Sequence, residues 1–88
     1  MSEAYPVNRD AAERWIRDYI AAVVDLPAAE VPLHEHFPTF GVDSAEVVIM
    51  TGVMEEEFGI DLDPRLLFAN PSIAGFLDAL EQNGLVRR

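Results

Sequence analysis

Three groups of residues in this 88-residue chain have types and spacing that could do chemistry. The first is Asp43-Ser44, at the end of Phe37-Pro38-Thr39-Phe40-Gly41-Val42 and at the mouth of an apolar stretch that runs to Glu55-Glu56-Glu57. The second is His34-Glu35-His36, and the third is Asp61 with Asp63. A nucleophilic serine needs a general base beside its hydroxyl and a third group to orient that base. The two histidines at 34 and 36 lie in a proline-rich segment, and no G-x-S-x-G elbow surrounds Ser44, so hydrolase chemistry is disfavoured. Alternating histidines without a third ligand make a weak metal signal and read better as a solvated loop. The Asp61-x-Asp63 pair lacks the glycine and the closing glutamate of a calcium loop. No metal site is expected.

Ser44 is left as a residue that is acted upon. A hydroxyl at a helix start sits where backbone N–H groups favour an anion, so a phosphodiester there would be tolerated or stabilised. Asp43 adds a charge that could help hold a divalent metal in a modifying enzyme. The plainer alternative is a helix-start serine with no further role, and the Asp-Ser dipeptide alone is too common to decide between them.

The composition narrows the class. Half of the residues are hydrophobic and a quarter are charged, as in ordinary globular domains. A chain of 88 residues supports one small domain with a modest core, and 1–88 reads as a single domain with its core at about 9–82. There is no cysteine, no apolar run long enough for a membrane span, and no leader pattern in residues 1–7. A cytoplasmic location follows as the expectation. Sixteen acids against six bases, all arginine, give a net charge of −10. That field disfavours nucleic acid and anionic membrane surfaces and steers basic protein partners, although simple solubility would explain it as well.

The elements that must position Ser44 read as helices. Ala12, Trp15, Ile16, Tyr19, Ile20, Val23 and Val24 form an apolar stripe that predicts a helix over 9–24, capped by Asn8 and stopped by Pro27. A connection over 25–43 follows, in which Pro27, Pro32 and Pro38 oppose regular structure while Val31, Leu33, Phe37 and Phe40 pack inward. A second helix is expected over 44–58, with Asp43 as its cap and Gly59 past its end. A short helix over 64–68 and a last one over 72–82 complete the chain, the latter with Ile73, Phe76, Leu77 and Leu80 on one face. No strand is predicted. The expected fold is all-α: a small antiparallel four-helix bundle, three main helices and one short one, with a long first loop.

The second helix has two apolar faces. With Val47 at the origin of a helical wheel, Met50, Thr51, Met54 and Phe58 lie within about 60° of it. Ala45, Val48, Ile49 and Gly52 cluster at about 100–200°, where a surface helix should be polar. Either the helix is buried all round, or this face is a docking patch edged by Glu46, Glu55 and Glu56. The small domain favours the second reading. Gly52 agrees with it, since a mid-helix glycine costs about 1 kcal/mol against alanine and implies a packing reason.

Phe37-x-x-Phe40-Gly41-Val42-Asp43-Ser44 resembles the F-x-x-L-G-hydrophobic-D-S segment of acyl carrier proteins. Val47-Val48 and Glu55-Glu56-Glu57-Phe58-Gly59-Ile60 are similar to that family's second helix and its exit. Leu66-Leu67-Phe68-x-x-Pro71-Ser72-Ile73 is similar to the third and fourth helix junction of polyketide synthase carrier domains. The resemblance spans about 9–80. It implies that Ser44 bears a phosphopantetheine arm, transferred from coenzyme A by a phosphopantetheinyl transferase with magnesium. The arm's thiol would carry acyl groups as thioesters, which fits a chain without cysteine. It implies a free-standing, monomeric carrier without catalytic activity of its own, in polyketide or hybrid biosynthesis. Its partners would be acyl-loading and condensing enzymes with basic docking patches. Asp43, Ala45, Glu46, Val48, Ile49, Gly52, Glu55 and Glu56 would form the contact surface, with steering that weakens as salt rises. Ala45 departs from the family's leucine after the serine. Gly52 is smaller than usual there, and Ile49 stands where fatty acid carriers often have an acid. A peptidyl carrier is the alternative, disfavoured by Asp43 where histidine is more common. A fatty acid carrier and an unmodified interaction module also remain.

Overall fold

A computed structural model describes residues 7–87 of the chain. The outermost positions, including the 1–6 stretch read above for a leader, lie outside the described residues. The order of elements is β1 (Val7–Asn8), α1 (Arg9–Val24), α2 (Ser44–Phe58), α3 (Pro64–Ala69), α4 (Ile73–Gln82) and β2 (Val86–Arg87).

Each main helix starts where a side chain can satisfy its open N–H groups. Asn8 accepts from the Ala11 N–H, Asp43 from Glu46, Asp63 from Arg65 and Ser72 from Gly75. Ser72 therefore caps α4 rather than opening it, and α3 runs one residue past the expected end. Helix α1 stops two residues ahead of Pro27. Asp25 turns left-handed at φ 60° and its N–H returns to the Ala21 carbonyl, so the cap ends the helix before the proline is reached. Gly59 closes α2 in the same conformation, at φ 66°, where a side chain would be strained.

Two expectations need correction. The connection over 25–43 is not without regular structure, since it holds 3₁₀ turns at Ala28–Glu30 and Phe37–Phe40. Proline suits the start of such turns: it precedes the first and is the second residue of the other. The prediction of no strand also fails. Val7 and Asn8 pair in parallel with Val86 and Arg87, and the Val7 N–H donates to the Leu85 carbonyl at 2.9 Å. Two-residue strands show no periodicity, and their partners lie at opposite ends of the sequence.

The ribbon ties the two ends of the chain together over a shared core. Val7 and Val86 are both buried in it. Arg9 at the start of α1 bridges Asp78 at 2.8 Å and Glu81 at 2.7 Å near the end of α4, so these two helices run antiparallel. Ile16 and Ile20 from α1, Met50 and Met54 from α2, Leu67 from α3, and Ile73, Phe76, Leu77 and Leu80 from α4 are wholly buried. The result is a small all-α bundle with one terminal ribbon. Val23, assigned to the apolar stripe of α1, lies at its edge and is partly exposed.

Candidate functional site

The long connection is anchored before it delivers Ser44. Phe37 is buried, its N–H donates to the Pro71 carbonyl at 2.8 Å, and its own carbonyl accepts from Val42 at 3.0 Å. Upstream, the Leu33 carbonyl accepts from Ala74 at 2.8 Å. The bonds to Pro71 and Ala74 pin the connection to the start of α4. Gly41 then turns the chain at φ 94°, a conformation that glycine adopts without strain. Val42 plugs into the core, and Asp43 caps α2 through a 2.9 Å contact from the Glu46 N–H to Oδ1.

Ser44 is thereby set, exposed, as the first residue of α2. The N–H groups of Ser44 and Ala45 carry no hydrogen bond within the described residues and form the positive end of the helix dipole. Neither His34 nor His36 is hydrogen-bonded to Ser44, and both are exposed in the loop. The site holds a presented hydroxyl and anion-compatible N–H groups, with no base of its own.

Beside Ser44 lies an apolar cleft of about 100 Å³ between Phe37, Val42 and Val47 on one side and Leu67, Phe68 and Pro71 on the other. A long chain does not fit in it as it stands.

The two faces of α2 separate as the wheel predicts. Val47, Met50, Thr51 and Met54 are buried and Phe58 packs against them. On the other side Val48 is 44% exposed and Ile49 54%, and Ala45 and Gly52 are open to solvent. The sequence reading missed two exposed apolar side chains: Val53 on this face, 40% exposed, and Phe68 on α3, 49% exposed at the cleft beside Ser44. Val53 lies about 40° beyond Ile49 on the same wheel and was legible there. Phe68 belongs to another element, so no local pattern could join it to α2.

The acids divide into different roles. Asp43 spends one oxygen on the cap. Glu55 is half-buried, and its Oε2 accepts from the Leu62 N–H at 2.7 Å, so it fastens the chain after α2. Glu46 accepts from the Tyr19 hydroxyl at 3.3 Å. Burial first, then the charge of Glu46 and that hydrogen bond, hold the Tyr19 phenol above its ordinary range. Glu56 is exposed on the same side as Gly52 and Ile49.

A Cβ placed on Gly52 would meet nothing within 4 Å. Nothing inside the domain therefore requires glycine. Gly52→Ala is expected to raise stability by about 1 kcal/mol through helix propensity alone, measured as a higher midpoint in urea. A lowered midpoint would show that the position is not open.

The family model for the phosphopantetheine attachment site matches residues 14–80. The chain belongs to this family. Its prosthetic group is covalently attached phosphopantetheine, and the matched span contains the loop, α2, α3 and nearly all of α4. The presented hydroxyl and the open N–H groups suit a phosphodiester. Among similar proteins, a Cluster 41 polyketide synthase of Aspergillus flavus is 28% identical over 78 residues, covering 82% of this chain and 7% of that protein. The polyketide synthase PksR of Bacillus subtilis is 33% identical over 64 residues, covering 73% of this chain and 2% of that one. The acyl carrier protein TtuC of Teredinibacter turnerae is 25% identical over 67 residues, covering 76% of this chain and 77% of its own length. The chain thus spans under a tenth of the two synthases. Among the described residues, no helix of this family member is long and apolar enough to cross a membrane.

Proposed function

We propose that Ser44 is the attachment residue and that the chain, with a core at about 9–82, is an acyl carrier in polyketide-type biosynthesis. The observation that carries this is the exposed hydroxyl at the start of α2, inside the family match and held there by the Phe37 anchor. The bound arm supplies a thiol that holds an acyl group as a thioester. The chain's own residues present that arm rather than react with its cargo. Among the described residues no base or second nucleophile is hydrogen-bonded to Ser44, and the base for the transfer is the transferase's. The small cleft gives apolar cover only to a few atoms of the arm next to the serine, leaving the thioester end in reach of partners.

The exposed face of Ala45, Val48, Ile49, Gly52 and Val53 is the surface that partners read, with Asp43, Glu46 and Glu56 at its edge. Glu55 contributes charge, while one of its oxygens stays engaged with Leu62. From position 18 to 64 the chain has eleven acids and neither arginine nor lysine, which supports partners with basic patches. A test of the cargo class is direct. The phosphopantetheinylated protein is offered acyl and aminoacyl donors with loading enzymes encoded nearby. Acyl thioester formation is the expected result, and exclusive aminoacyl loading would contradict it.

A further inference from the structure

Glu46 stands two residues after Ser44 in the first turn of α2, and its carboxylate is restrained from another helix. The Tyr19 hydroxyl of α1 donates to its Oε2, while Oε1 has no partner among the described residues. Tyr19 is itself held in place, since its ring stacks on Trp15 with centroids 5.4 Å apart and planes at 25°. Trp15 in turn meets Phe58, in the last turn of α2, edge-on at 5.8 Å. One aromatic ladder on α1 thus braces both ends of α2, and among the described residues the Tyr19 hydroxyl supplies the hydrogen bond it makes to the first turn of α2. The ring contacts do not involve that hydroxyl.

A glutamate side chain without a partner samples many rotamers, and a binding protein must freeze one of them; Glu46 is half-buried and already bonded. A carboxylate already fixed through one oxygen and open at the other is pre-organised for a cation. We propose that Tyr19 is a positioning residue for the modification of Ser44: it holds Glu46 so that the open oxygen meets an arginine or lysine of the transferase. The inference rests on the reading of Ser44 as the attachment residue. The contact is longer than a usual hydroxyl–carboxylate hydrogen bond, so its effect is modest.

Initial rates of phosphopantetheine transfer are measured with the unmodified carrier varied and coenzyme A saturating. Wild type, Tyr19→Phe, Glu46→Gln and the double variant are compared at low and moderate salt. Tyr19→Phe and Glu46→Gln are each expected to raise KM for the carrier about threefold to tenfold, with kcat little changed. The double variant should be no worse than Glu46→Gln alone, and the salt dependence of KM should flatten wherever Glu46 is replaced. Thermal melts of Tyr19→Phe should stay within a few degrees of wild type. If Glu46→Gln raises KM while Tyr19→Phe does not, or if the two effects multiply, Tyr19 does not position Glu46. An unchanged KM in Glu46→Gln overturns the contact while leaving Ser44 as the attachment residue. Wild-type protein that is not modified at all overturns the reading of Ser44, and this inference with it.

Discussion

Met50→Asp is expected to unfold the domain, while Ile49→Asp, one residue earlier, leaves it folded and impairs its encounters with partners. Met50 is wholly buried within the core and Ile49 is 54% exposed, although both are apolar and adjacent in one helix. A carboxylate at 50 would lack any partner, and an unpaired buried charge costs several kcal/mol even after relaxation. The whole stability of a small domain is about 5–15 kcal/mol, so little or nothing remains. At 49 the new carboxylate meets water, and the expected change is within about 0.5 kcal/mol. Its effect falls on association: a charge set into an apolar contact surface should lower kcat/KM with a loading or condensing partner by tenfold or more, since unpaired buried charges are among the costliest interface changes. Circular dichroism melts and partner kinetics check both halves. If Ile49→Asp melts as low as Met50→Asp, the outer face of α2 is core and no docking patch exists there.

Phe37→Ala is expected to cost about 3–5 kcal/mol, the usual range for removing a buried phenylalanine. The position matters beyond its volume. The ring fills the space under the long connection, its backbone joins Pro71 to Val42, and it walls the cleft beside Ser44. Losing the ring frees the segment that aims α2's first residue. Modification of Ser44 should therefore slow even at temperatures where the variant is still mostly folded. Phe40, half-buried and 6.1 Å from Phe37 between centroids, supplies the comparison. Phe40→Ala should cost clearly less and leave the modification rate near wild type. Urea midpoints and transfer rates at low temperature separate the two effects. Equal losses from both variants would mean that Phe37 is not the anchor.

Helix α2 was legible to the residue because its punctuation is local: an aspartate cap, an apolar period and a glycine at the end. The same holds for the start of α1 at Asn8 and for the buried set on α4. What stayed hidden depends on residues far apart in sequence. The β1–β2 ribbon joins the two ends of the chain, and the Arg9 bridges to Asp78 and Glu81 join the first helix to the last. The split among the acids was hidden for the same reason. Glu55 and Glu56 look alike in a charge run, yet one binds Leu62 and the other faces solvent. Asp25 shows a different limit: a left-handed aspartate ends α1, and an aspartate adopts that conformation too seldom for its type alone to mark the stop. Ser44 itself was legible through its surroundings, but its exposure depends on Phe37 meeting Pro71, which no local pattern shows.

Ser44 carries the phosphopantetheine arm in this proposal. The most direct measurement is the intact mass of purified protein after incubation with coenzyme A, magnesium and a broadly acting phosphopantetheinyl transferase, for wild type and Ser44→Ala side by side. A gain of one phosphopantetheinyl group in wild type and none in Ser44→Ala is predicted. An unchanged wild-type mass with several transferases, or an equal gain in Ser44→Ala, would contradict it.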